Sequence, residues 1–272
     1  GIDKVRVITG DTGITPYGGG TWASRGAGIG GEAVLQSGRE LRARILDVAT
    51  AILQTSGEML DVRNDSVVDV RTGEVKLALA EVGRIAYFRP DTLPMDFQSE
   101  LVVTRHYTPR GYGFAFTNGI QASLVEVDIE TGFVKLLKHW CVEDCGTIIN
   151  PQLVDEQIRG GIVQGIGGVL FEHCIYSPEG QLVNGNMAEY LVPMAGEMPD
   201  IDIAHVVTPT KTSELGAKGA GEAGTAGAPG AVMNAINDAL RPFKARVTAQ
   251  PVTPERILQA LGRRERERTA PE

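Results

Sequence analysis

Apolar positions recur along this chain with two different periods, and the period assigns the elements. Residues 4–9 alternate and predict a short strand. Val34, Leu41, Ile45, Val48 and Ile52 recur at helical spacing, and Gly57 stands just beyond them, which predicts a long helix over about 32–56. Residues 58–71 (MLDV, RNDS, VVDV) read as a hairpin. Residues 72–88 predict a second helix, with Glu74 favouring its start. From 99 to 145 the alternation is of the strand kind, and Glu130-Thr131-Gly132 between two such runs is a hairpin turn. Asn150-Pro151 opens a helix over about 151–171. Residues 177–180 form a turn, 201–208 a strand, 230–240 a helix, 244–249 a strand and 253–261 a capped helix. Helices and strands come in mixed order without a regular βαβ repeat. The expected class is therefore α+β, with mixed sheets and packed helices. Pro90 and Pro94 mark a boundary between two lobes near 90–100 within residues 1–261, and 262–272 read as a solvated tail.

Composition adds one unusual feature. Glycine supplies 34 of the 272 residues, one in eight, against about 7% in an average protein. Much of the excess falls in three tracts, 10–31, 160–168 and 216–230. The net charge of −8 disfavours nucleic acid as a partner. No apolar run approaches the roughly 20 residues of a membrane span. Cys141, Cys145 and Cys174 are too few and too oddly spaced for a disulfide scaffold or a zinc site; they suit a reducing, cytoplasmic compartment. The chain opens on Gly-Ile-Asp-Lys rather than on Met and reads as starting mid-fold.

The tract GAKGAGEAGTAGAPG (216–230) contains a formal G-x-G-x-x-G at Gly219, Gly221 and Gly224. A dinucleotide site would need a strand leading in and an acid about 20 residues on. Lys244 occupies that place, and Glu222 inside the motif would repel a pyrophosphate. A different reading makes Glu222 the point of the tract: small neighbours let the backbone pass close to a bulky group, leaving one carboxylate to act as a general base. Composition by itself favours the plainer reading, a surface loop with an incidental Glu. In the first tract, Gly18-Gly19-Gly20 followed by Thr21, Trp22, Ala23, Ser24 and Arg25 offers N–H groups, hydroxyls and a guanidinium that suit an anion or a polar cofactor edge. Packing alone would also explain it. Gln157 and Gln164 lie seven apart on one face of the 151–171 helix. The glycines around them suggest close approach of a ligand or of another helix. The four histidines are scattered, and no side-chain metal site is expected.

Three segments taken together resemble one family. GDTGITPYGGGTWASRG, TGFVKLLKHWCVEDCGTIINPQLVDEQIRGGIVQGIGGVLFE and SELGAKGAGEAG, with the TPERILQAL ending, are similar to the molybdenum-binding subunit of the xanthine dehydrogenase/aldehyde oxidase/carbon monoxide dehydrogenase family, in its C-terminal half. The resemblance implies a molybdopterin cofactor, in the cytosine dinucleotide form, whose dithiolene rather than a side chain holds the metal. It implies hydroxylation of an electron-poor carbon, in an N-heterocycle, an aldehyde or a similar small molecule, with oxygen derived from water. Glu222 falls on the family's base, which activates the metal-bound hydroxyl. Gln157 falls on a cofactor-contacting glutamine, and Thr21, Trp22, Ala23, Ser24, Arg25, Lys218, Gly219 and Gly221 on further cofactor contacts. It also implies partners: a chain supplying the N-terminal half, and 2Fe-2S and FAD centres on other chains. A non-catalytic assembly subunit that kept the fold is the alternative; the intact KGAGEAG segment argues against it.

Overall fold

The computed structural model describes residues 1–109 and 115–262; the expected tail at 262–272 lies outside them from residue 263 onward. The chain divides into two compact units. The first comprises residues 1–21 and 29–109, the second 22–28 and 110 onward.

In the first unit a long helix, α1 (Gly31–Leu53), is followed by a three-stranded antiparallel sheet, β1 (Leu60–Arg63), β2 (Ser66–Asp69) and β3 (Val75–Ala78), and by α2 (Leu79–Phe88). The hairpin is made by Asn64 and Asp65, both with positive φ, 46° and 61°. That pair gives the left-handed two-residue turn whose twist matches the strands. Leu46, Val48 and Ala49 of α1 pack with Leu60, Val67, Val82, Ile85 and Ala86 as the core.

Several expectations are corrected here. The predicted strand at 4–9 has no ladder partner; a short 3-10 turn at Ile2–Lys4 is all that forms, and Val5 and Val7 stay exposed. The predicted helix at 72–88 begins seven residues late. Residues 75–78 pair with β2 instead, after a turn in which Asp69 accepts from the N–H groups of Arg71 and Thr72. The alternating stretch at 99–106 is not a strand. The Arg44 guanidinium takes up the carbonyls of Glu100 and Val102, which a ladder would otherwise use.

In the second unit β4 (Asn118–Val127) and β5 (Val134–Asp144) form a long antiparallel hairpin, and β6 (Ile201–His205) joins β5 in parallel. Helix α3 (Pro151–Leu170) starts with Asn150, whose side chain accepts from the N–H of Leu153, and with Pro at its first position. Its buried stripe of Ile158, Ile162, Ile166 and Val169 meets Ala228, Val232, Ile236 and Leu240 of α4 (Ala223–Leu240). The short helix α5 (Pro254–Ala260), capped by Thr253, closes the core through Ile257.

Two more expectations give way in this unit. The tract 216–230, read as loop to its end, is helical from Ala223. Its glycines are poor helix formers, which masks the helix-favouring alanines between them, but these small residues let α4 lie against α3. A Cβ on Gly224 would stand 2.2 Å from the carbonyl oxygen of Ile158, and one on Gly165 would stand 2.9 Å from Ala228 Cβ. The 244–249 segment is not a strand. The Asn237 side-chain amide bonds both the N–H and the C=O of Val247, taking the place of a ladder neighbour.

Candidate active site

The site is built at the end of β5, where two other stretches dock. Asp144 is the anchor. It accepts from the N–H and hydroxyl of Thr208, from the N–H of Gly146 and from Lys218 Nζ at 3.0 Å. Burial opposes its ionisation, but the Thr208 hydroxyl, the Gly146 N–H and the Lys218 ammonium together outweigh it and hold the carboxyl well below the usual range. Next to it Gly146 pairs with Ala217, the N–H of Lys218 reaches Cys145 O at 2.8 Å, and Gly219 N reaches Ala115 O at 3.3 Å. The loop 216–222 is thereby fastened along its length. Gly146 must be glycine: its φ is +70° and a Cβ would meet Gly216 O at 2.4 Å.

This loop delivers Glu222 to the start of α4, against the segment 22–25. Ala23 and Ser24 are both left-handed, with φ of 50° and 55°. The Ser24 hydroxyl donates to Glu222 Oε2 at 2.8 Å and accepts from the Glu222 N–H at 2.9 Å. The two residues therefore hold each other at backbone and side chain. Glu222 is exposed, and among the described residues no cation pairs with its carboxylate. Gly219 and Gly221 pass so close to Ser24 that a Cβ on either would come within 2.9 or 3.1 Å of it.

The other expected site residues are distributed as follows. Gln157 is exposed on α3 and donates to Gly221 O at 3.1 Å. Arg25 stacks over the Trp22 ring, 4.4 Å from its centroid. Lys218 is turned inward to Asp144, and its side chain is 12% exposed. Thr21 belongs to the first unit and is exposed. Gln164, two turns further along the same side of α3, accepts from the Thr225 hydroxyl at 3.3 Å.

Sequence reasoning did not single out Asp144, although it sits in the quoted VEDCG segment, because nothing in a linear reading shows that Thr208 and Lys218 converge on it. It also missed a cavity of about 270 Å³ beside the first turn of α4, lined by Thr117, Gly119, Gln121, Glu143, Ala223, Ala226 and Gly227. Burial disfavours the charged form of Glu143 and pushes its carboxyl above the usual carboxylate range, against the opposing hydrogen bonds of Thr117 and Cys141. Cys141, buried beside it, is pushed up to about 12. Among the described residues no group of three or more His, Cys, Asp or Glu side chains could hold a metal ion. No helix among them is long and apolar enough to cross a membrane.

Comparison with known proteins gives this geometry a family. The sequence matches the molybdopterin cofactor-binding domain over residues 1–199. It is 38% identical over 260 residues to the nicotine 6-hydroxylase large subunit of Paenarthrobacter nicotinovorans, covering 95% of this chain and 32% of that one. It is 29% identical over 260 residues to the carbon monoxide dehydrogenase large chain of Hydrogenophaga pseudoflava, with coverage of 95% and 32%. The fold superposes on quinoline 2-oxidoreductase from Pseudomonas putida 86 with a TM-score of 0.82 and 37% identity, over 93% of this chain and 32% of that one. The chain thus spans about a third of the length of the curated relatives it matches. With the family match over most of the chain, and an α+β fold shared with such subunits, the chain belongs to the molybdopterin cofactor-binding domain family.

Proposed function

We propose that this chain is part of a molybdenum hydroxylase that oxidises an electron-poor carbon, in an N-heterocycle, an aldehyde or a similar small molecule, with oxygen from water. The observation that carries the proposal is the reciprocal pair between Ser24 and Glu222. A general base must present one fixed oxygen to the proton it takes. The Ser24 hydroxyl occupies Oε2 and the backbone N–H is tied to the same hydroxyl, so Oε1 is aimed rather than free to turn.

The residues fit the proposed cofactor, a molybdopterin in its cytosine dinucleotide form. Ala23, Ser24, Gly219 and Gly221 present backbone with little side-chain bulk, while Trp22 and Arg25 add an exposed indole ring and the guanidinium stacked on it. Gln157 adds an exposed amide, and Lys218 keeps the loop in register through Asp144. Glu222 is the one acid in the 216–230 tract, so an anionic ligand meets a single carboxylate there. When bound, the cofactor supplies the metal that accepts the substrate's electrons. Glu222 holds and moves the proton at its carboxylate, and Ser24 keeps that carboxylate oriented. 2Fe-2S and FAD centres on partner chains would carry the electrons onward, and another chain or segment would supply the rest of the cofactor pocket. The outer face of β4 and β5 supports further protein contact, since it exposes Ile120, Leu124 and Trp140 at 72%, 50% and 40%.

The test is Glu222→Gln in the assembled enzyme. The amide keeps an oxygen for Ser24, so molybdenum and pterin content should stay at the unsubstituted level while turnover falls by roughly 10²–10⁴-fold. Near-normal turnover would reject the base. An assembly lacking molybdenum and pterin altogether would favour a purely structural subunit.

A further inference from the structure

We infer that Ser123, His139 and Gln121 form a partly buried hydrogen-bond line that holds the first turn of α4, and so positions Glu222; the inference rests on Glu222 being the base. Ser123 Oγ lies 2.8 Å from His139 Nδ1, and His139 Nε2 lies 3.1 Å from Gln121 Oε1. The Gln121 amide nitrogen donates to the carbonyls of Gly224 at 3.0 Å and Ala223 at 3.4 Å. Every direction in the line follows from its end. The helix carbonyls can only accept, so the amide nitrogen faces them and Gln121 Oε1 faces the imidazole. That oxygen can only accept, so His139 carries its proton on Nε2. Nδ1 is then a bare acceptor, and Ser123 donates to it. His139 is completely buried, and burial favours the neutral ring that this arrangement requires.

The β pairing brings the three residues together. Ser123 and His139 are register partners across β4 and β5, and Gln121 lies two residues from Ser123 on the same face. The amide lies flat against α4: a Cβ on Gly227 would stand 2.9 Å from both Gln121 Cδ and Nε2. The reason for such a tie lies in the composition of the turn. Residues 223–228, AGTAGA, carry one side chain larger than methyl, so apolar packing has little to grip at this end of α4. A charge-neutral line from the sheet to its carbonyls supplies the grip. Glu222 is the residue immediately before that turn, and the N–H of Ala226 closes on its carbonyl at 3.2 Å. Gln121 and His139 are thus positioning residues for the carboxylate, acting through the backbone.

The test uses the assembled enzyme. In Gln121→Leu, amide hydrogen exchange at residues 226–228 should accelerate roughly tenfold, while residues 232–240 keep their protection. Turnover should fall by about 10–100-fold, with KM, molybdenum and pterin content unchanged, as expected for a reacting group displaced by about 1 Å. His139→Phe should reproduce both effects. His139→Gln can donate to Gln121 and accept from Ser123 in the same sense and should restore both. Wild-type exchange at 226–228 in Gln121→Leu overturns the inference, as does a loss confined to KM or to cofactor content, or a His139→Gln variant no better than His139→Phe. If Glu222→Gln keeps its turnover while Gln121→Leu still loosens residues 226–228, the base assignment fails and the tie itself stands.

Discussion

Replacing Gly224 by Ala should separate α3 from α4, and the size of the effect can be worked from the contact. An added Cβ would lie 2.2 Å from Ile158 O and 2.7 Å from Ile162 N. A carbon–oxygen contact is comfortable at about 3.3 Å, so the first shortfall is about 1 Å. Both obstructing atoms belong to the α3 backbone, so no side-chain rotation relieves it and the helices must part. Parting them opens the tier where Ile158, Ile162 and Ala228 are completely buried. Overpacking of this kind costs about 1–3 kcal/mol. The propensity gain of Ala over Gly offsets at most about 1 kcal/mol, and less in a first turn. A net loss of about 2 kcal/mol corresponds to a fall in Tm of roughly 4–8 °C for a domain of this size. Gly160 and Gly168 on α3 are internal controls, because neither has an atom within 4 Å of the added Cβ. Gly160→Ala and Gly168→Ala should instead gain about 0.5–1 kcal/mol each. Thermal unfolding of the three variants tests the sign as well as the size. Gly224→Ala unfolding at or above the parent temperature, or Gly160→Ala proving equally costly, would refute the view that these glycines divide into packing and non-packing positions.

Neighbouring carboxylates on β5 should respond to pH in opposite directions. Asp144 is held below the usual range, so it supports the fold above about pH 4, and that support is lost as pH falls toward its lower native value. Asp144→Asn should therefore lower stability at neutral pH and flatten the acid limb of a denaturation-midpoint curve; an unchanged acid limb would count against the Thr208–Lys218 clamp. Glu143 is raised by burial, so its contribution is complete below about pH 4 and is lost as pH rises through its native value. Glu143→Gln should shrink that loss, and a curve parallel to the parent's would show that the group is not buried as described. Asn237→Leu removes both bonds to Val247 and leaves that buried residue's backbone groups unmatched. A loss of about 1–3 kcal/mol is expected, and chemical denaturation within about 0.5 kcal/mol of the parent would show that the 244–249 segment holds itself.

The elements that could be read linearly are those whose own residues supply the determinant. The hairpin at 60–69 carries its turn in Asn64-Asp65, α3 carries its cap in Asn150-Pro151, and the period of Ile158, Ile162 and Ile166 marks one buried face. The elements misread are those whose backbone partners come from elsewhere. Residues 4–9 and 99–106 have strand-like alternation but no neighbour to pair with, and α4 begins inside a glycine tract because α3 is there to receive it. A strand exists only with a partner, and a glycine-rich helix only with a surface to lie on.

The same division runs through the site. The sequence alone determined which residue types stand in the tracts: small residues around one acid at 222, and serine and glutamine at 24 and 157. These are local choices, legible because motif and composition are local. That Ser24 bonds both ends of Glu222 across 198 positions, that Lys218 is committed to Asp144, and that His139 and Gln121 reach the carbonyls of α4 were decided by the tertiary structure. Hydrogen bonds act over about 3 Å, and only the packing of α3, α4 and the sheet brings those distant residues within that range.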